Sequence, residues 1–209
     1  MASIRFRYTT IGQNKIKDDF PVRIRYTIVR VQMEQKRLFL AIPIPEAIQQ
    51  ELYAFRTQLT HPDLRWTPPA NLHVTLLFIG GVPITEVVQI EHTLQLLNTI
   101  PAFTLQFTRI QGVTRKRVTS MLWAAMEPNE SFTRLAQHIS QVLAIPLDHA
   151  PVPHVTVART SRNSRYRLGA EPPPLITHLQ VRVTGFELWE SRLGPGGSKY
   201  HCLQRFVLA

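Results

Sequence analysis

Asn71-Leu72-His73-Val74-Thr75-Leu76 and Val152-Pro153-His154-Val155-Thr156-Val157 are nearly one phrase written twice. Each copy follows a proline-containing turn and reads as a strand. Residues i and i+2 of a strand share a face. His73 and Thr75 therefore point one way while Val74 turns into a core, and His154, Thr156 and Val155 repeat the arrangement. A single His-x-Thr carries little weight, because three-residue matches arise by chance. Two copies, each inside a predicted strand, point to a shared purpose. The other histidines, His61, His92, His138, His149, His178 and His201, have no matched partner and read as surface or structural residues.

Outward from these phrases the chain alternates between strand and helix signals. Arg37–Ile44 reads as a strand closed by Pro43 and Pro45, and Glu46–Thr60 as a helix with Ile48, Leu52, Phe55 and Leu59 on one face. Leu72–Ile79 is a strand expected to end at Gly80-Gly81, and Thr85 is expected to cap a helix running to Asn98. Phe103–Ile110 and Ser120–Met126 read as strands around the basic loop Arg115-Lys116-Arg117, followed by a helix over Ser131–Leu143. Val152–Ala158 is a strand, then comes a polar loop with Arg162, Arg165 and Arg167. A hairpin of Leu179–Trp189 and Tyr200–Leu208 about Gly194-Pro195-Gly196-Gly197 closes the chain. Many strands with a few amphipathic helices indicate an α+β fold with mostly antiparallel sheets.

Residues 1–32 differ from the rest. Arg5, Arg7, Lys15, Lys17, Arg23, Arg25 and Arg30 face only Asp18 and Asp19, and Phe20–Val31 alternates like an exposed strand. We read 1–32 as a basic arm and 33–209 as one domain. Met33 as the true start of translation and an organelle presequence are the other readings of that segment.

The 209 residues are 44% hydrophobic and 18% charged, a balance suited to a folded protein. Cys202 is the single cysteine, so neither an intrachain disulfide nor a cysteine-based zinc site is available. The chain lacks an apolar run long enough to cross a membrane as a helix and lacks a secretory h-region, so a cytoplasmic location without membrane association is expected. Lys and Arg number 24 against 14 Asp and Glu, a net charge of +10. Nearly all of that excess is arginine, whose planar fork suits phosphate contacts. Nucleic acid or a nucleotide phosphate is the expected ligand class, with a solubilising surface as the competing reading.

Phosphodiester cleavage needs one proton removed from the attacking oxygen and one delivered to the leaving oxygen. Paired imidazoles can divide those tasks near neutral pH. Paired threonine hydroxyls can donate to the non-bridging oxygens. Such chemistry needs no metal and no cofactor. The sequence has no H-E-x-x-H, no cysteine pair and no G-x-x-x-x-G-K-[ST] loop.

The stretches Arg37-Leu38-Phe39-Leu40-Ala41-Ile42, Trp66 to Gly80 and Pro153 to Arg159 resemble the 2H phosphoesterases, specifically the RNA 2′,3′-cyclic phosphodiesterases also called 2′-5′ RNA ligases. The resemblance spans about residues 36–208. It implies a bilobal fold of two pseudo-symmetric, mostly antiparallel sheets with helices outside and a central cleft. It further implies hydrolysis of terminal 2′,3′-cyclic phosphates of RNA, or of cyclic nucleotides, to 2′-phosphomonoesters by a monomeric enzyme. In that scheme His73 donates a proton to the leaving oxygen and His154 activates water. Thr75, Thr156 and Arg159 hold the phosphate, and Phe39 stacks on the terminal base. Strict alternation would place Arg159 on the wrong face, so a bend near the strand end is required. Ligation is the same proton chemistry reversed, and these residues do not separate the two directions. From another class, a non-catalytic nucleotide- or RNA-binding module remains open.

Overall fold

A computed structural model of the chain describes residues 34–97, 99–115, 118–161, 164–168, 174–195 and 197–209. The arm expected at 1–32 lies outside the described residues, as do Lys116, Arg117 and Arg162. The elements are β1 (Gln35–Pro43), α1 (Glu46–Ala54), β2 (Leu64–Trp66), β3 (His73–Pro83), α2 (Val87–Gln95), β4 (Phe103–Arg115) and β5 (Val118–Met126), then α3 (Glu130–Leu143), β6 (His154–Thr160), β7 (Gln180–Val183), β8 (Gly185–Gly194) and β9 (Gly197–Val207). The fold is α+β.

The strands form a nine-stranded sheet in the order β7-β4-β5-β6-β3-β1-β8-β9, with β2 added to β6. Every pairing among the described strands is antiparallel. The order is symmetric about its middle. Strands β3, β1, β8 and β9 form one half, and β6, β5, β4 and β7 mirror them in the other. The two expected sheets are thus joined edge to edge, and the join is the pair Val74–Val155.

Alternation explains what each face carries. In β1, Leu38, Leu40 and Ile42 enter the main core, whereas Phe39 and Ala41 face the other way into a separate small cluster with Trp189. The buried residues of the helices, Leu52 of α1, Val87 and Leu94 of α2, and Phe132, Leu135, Ala136 and Ile139 of α3, all belong to the main core. The helices therefore cover one face of the sheet, and among the described residues no helix covers the face bearing the histidines. No helix among the described residues is long and apolar enough to cross a membrane.

Several boundaries differ from those expected. Strand β3 runs through Gly80-Gly81 to Pro83 instead of stopping there. The ladder slips between Leu38 and Phe39, whose partners are Gly80 and Phe78, and Gly80 sits at φ 91°. A positive φ in glycine absorbs a bulge rather than ending a strand. Helix α1 stops at Ala54 and passes into a 3-10 turn over Phe55–Thr57. Thr85 lies in a 3-10 turn before α2 and supplies no side-chain cap. The predicted strand Leu179–Trp189 is broken between β7 and β8, which lie in opposite halves of the sheet.

Helix α3 has the strongest terminus. The Asn129 side chain accepts from the Phe132 amide at 2.9 Å and donates to the Thr104 carbonyl at 3.0 Å, tying the helix start to β4. Asn129→Ala removes both bonds, and a loss of about 1–2 kcal/mol in urea unfolding is expected from the cap and the stranded carbonyl. A cost indistinguishable from zero would contradict this account of the α3 terminus.

Candidate active site

Val74 and Val155 are both fully buried and directly opposed. In an antiparallel ladder, the residue before one member of such a pair lies across from the residue after the other. His73 therefore lies across from Thr156, and Thr75 across from His154, all on the face opposite the core. Each imidazole is set beside a hydroxyl of the other half. All four side chains are half-buried.

The segment entering β3 is pinned from both halves. Thr67 bonds to β6 through its amide, to the Val157 carbonyl at 2.9 Å, and through its hydroxyl, to the Thr156 carbonyl at 2.8 Å. The Asn71 side chain donates to the Ser198 carbonyl of β9 at 2.8 Å. The Asn71 carbonyl in turn receives Nδ1 of His73 at 2.7 Å, and the Val152 carbonyl receives Nδ1 of His154 at 2.8 Å. A carbonyl only accepts, so both rings carry their hydrogen on Nδ1 and leave Nε2 to act.

Aromatic rings surround both imidazoles, but differently. His73 packs against Phe39, Trp189 and Tyr200 at centroid distances of 5.1, 5.2 and 5.3 Å. His154 instead lies flat on Trp123, 3.6 Å away and 19° from parallel. Trp123 pairs with Thr156 across β5 and β6, and its buried indole N–H has no partner among the described residues. Burial holds His73 down to about 4, with His154 and Arg159 adding charge repulsion against the Asn71 hydrogen bond that favours the proton. Burial likewise lowers His154, with Arg159 repelling its proton. Both rings thus sense Arg159, and His73 senses His154.

The position of Arg159 follows from a bulge. Leu122 pairs with Ala158 and Trp123 with Thr156, so Val157 is the extra residue that returns Arg159 to the open face, opposite Met121. Strand β3 carries the same irregularity: Leu40 pairs with Leu77 and Ala41 with Thr75, leaving Leu76 extra. Phe78 is then the counterpart of Arg159 in the other half. It is 67% exposed, with its ring 6.0 Å from that of Phe39.

Phe39 requires a correction. Its side chain is 3% exposed, enclosed by His73, Phe78, Trp189 and Tyr200. A ring so enclosed has no free face for a base, and Phe39 is instead the wall behind His73. Trp66 packs on the main core. Among the described residues no group of three or more His, Cys, Asp or Glu could hold a metal ion.

An antiparallel face with paired imidazoles and hydroxyls, flanked by an arginine, is chemically suited to a phosphoester. Residues 42–123 match the family model described as LigT like Phosphoesterase. An RNA 2′,3′-cyclic phosphodiesterase of Thermus thermophilus is 32% identical over 187 residues, covering 82% of this chain and 90% of the relative. One of Bacillus subtilis is 28% identical over 127 residues, 58% of this chain and 69% of the relative. The crystal structure of E. coli LigT complexed with 3′-AMP superposes with a TM-score of 0.71 at 26% identity, covering 84% of this chain and 99% of that one. The chain belongs to the LigT-like phosphoesterases and is a hydrolase of phosphodiester bonds.

The lowered proton affinities have a direct consequence. In ligand-free protein, NMR titration is expected to keep the His73 ring neutral down to about pH 4. Because the folded value lies below the ordinary 6.5, stability tied to this ring is complete above pH 6.5 and is lost as pH falls toward 4. A His73 midpoint at or above 6.5 would contradict the burial described.

Proposed function

We propose that this protein hydrolyses terminal 2′,3′-cyclic phosphates of RNA to 2′-phosphomonoesters through His73 and His154, without a metal ion. The observation that carries the reading is the Val74–Val155 pair, which sets both imidazoles and both threonines on one open face. The names of the relatives, RNA 2′,3′-cyclic phosphodiesterases, support this choice of substrate.

In this mechanism the cyclic phosphate lies over the junction between the two halves. Thr75 and Thr156 donate to its non-bridging oxygens, where charge grows as water adds. Arg159 balances that charge from the side of β6. One Nε2 takes the proton of the attacking water, and the other returns a proton to the departing ribose oxygen. Both rings are neutral at pH 7 in the free protein, so the proton needed by the donor is acquired as the anion enters. The donor role that the family resemblance implies for His73 requires a large rise, since His73 starts from about 4. Phe78, whose ring is free where that of Phe39 is not, supplies the stacking surface for the terminal base. The residues 33–209 act as one catalytic domain, and the basic segment 1–32 adds sequence-independent attraction for RNA.

Alanine at His73 or at His154 is expected to lower turnover of a cyclic-phosphate oligonucleotide by about 10²–10⁴. Near-normal hydrolysis by both variants rejects the assignment. Activity is expected to persist in excess EDTA, and its abolition there overturns the metal-free mechanism. Plotted against pH, kcat/KM is expected to form a bell whose alkaline limb falls below 6.5, because the free donor's affinity is depressed. The bell for kcat is expected at higher pH, since the bound anion raises both rings.

A further inference from the structure

On the reading above Arg159 serves the reacting phosphate, and the cation paired with it, Arg65, has no role. Strand β2 adds to β6 so that Arg65 is directly opposite Arg159. Leu64 and Trp66, on either side of Arg65, pack on the main core, so alternation turns Arg65 to the open face where Arg159 lies. Like charges opposed across a ladder destabilise the pairing unless something of opposite sign sits between them. No carboxylate among the described residues does so. The described ion pairs lie elsewhere, at Glu190 with Lys36 and Arg192, at Glu187 with Arg205, at Glu130 with Arg134 and at Glu51 with His178. Across the other edge of β6, Arg159 meets Met121 and donates to its sulfur at 2.9 Å, a neutral partner that brings no counter-charge. Both arginines are exposed.

We infer that Arg65 and Arg159 form a second anion subsite, beside the histidine pair, for the internucleotide phosphate next to the RNA end. The two members differ in depth. Arg159 lies near enough to repel protons from both histidines, and Arg65 is not among the groups that shift either ring. Arg159 is therefore the inner cation, shared with the reacting phosphate, and Arg65 the outer one, which meets a different phosphate. A mononucleoside 2′,3′-cyclic phosphate has nothing to place there. A diribonucleotide with the same cyclic end does. The pair thereby makes the protein prefer a chain end over a free cyclic nucleotide, and it rests on the hydrolase reading.

The test compares kcat/KM for adenosine 2′,3′-cyclic phosphate and for ApA ending in a 2′,3′-cyclic phosphate, in wild type, Arg65→Gln and Arg65→Lys. Loss of one charge-assisted phosphate contact is expected to lower the dinucleotide-to-mononucleotide ratio about 10- to 100-fold in Arg65→Gln. Arg65→Lys is expected to recover part of that ratio by restoring the charge. The salt dependence of dinucleotide kcat/KM is expected to flatten by about 0.7 in log–log slope. A 5′-phosphorylated mononucleoside cyclic phosphate separates a phosphate contact from a base contact, because only the former is restored by that phosphate alone. In phosphate-free buffer, Arg65→Gln is expected to melt no lower than wild type, since it relieves the opposed charges. An unchanged ratio, or equal losses on both substrates, overturns the subsite and leaves the hydrolase reading standing. A wild-type protein that turns over neither substrate overturns both.

Discussion

The antiparallel contact of Val74 with Val155 is the constraint on which the site depends. Among the described residues it is the single register pair between β3 and β6, and it joins the two four-stranded halves into one sheet. A register slip of one residue in either strand would turn both a histidine and a threonine into the core. Full burial of both valines resists that slip, because it would expose them and bury unpaired polar groups in their place. Packing of apolar side chains on one face thus fixes the chemistry on the other.

The two halves repeat a backbone and diverge in what they hang on it. Both histidines donate Nδ1 to a carbonyl of the segment just before their strand, and both strands carry a bulge after the threonine. Beyond the bulge, one half presents Arg159 and the other Phe78. Around the imidazoles, His73 meets several rings at an angle while His154 lies flat on Trp123. A symmetric scaffold with asymmetric walls suits a substrate whose ends differ, a base on one side and a phosphate chain on the other.

Much of this was legible in the residue order. The period-two alternation of the paired phrases places His73, Thr75, His154 and Thr156 on shared faces, and the apolar spacing that reads as helix over 46–60, 85–98 and 131–143 overlies the shorter or shifted helices at 46–54, 87–95 and 130–143. What escaped was register. Alternation within one strand does not reveal a bulge, so it specifies neither the bend that turns Arg159 to the open face nor the passage of β3 through Gly80-Gly81. The aromatic wall of Trp123, Trp189 and Tyr200 comes from strands distant in sequence, and no local pattern announces it. The repeat carried onward past the threonines aligns Phe78 with Arg159. Phe39 departs from the expectation for a related reason, since a residue facing the open side can still be covered by its neighbours.

On the proposed mechanism His73 and His154 close on one anion. Titrating the protein with a 2′-nucleotide while following both imidazoles by NMR tests it most directly. A single saturation curve, with the proton affinities of both rings rising together, is the predicted result. A response confined to one ring, or two rings responding with different midpoints, would contradict it.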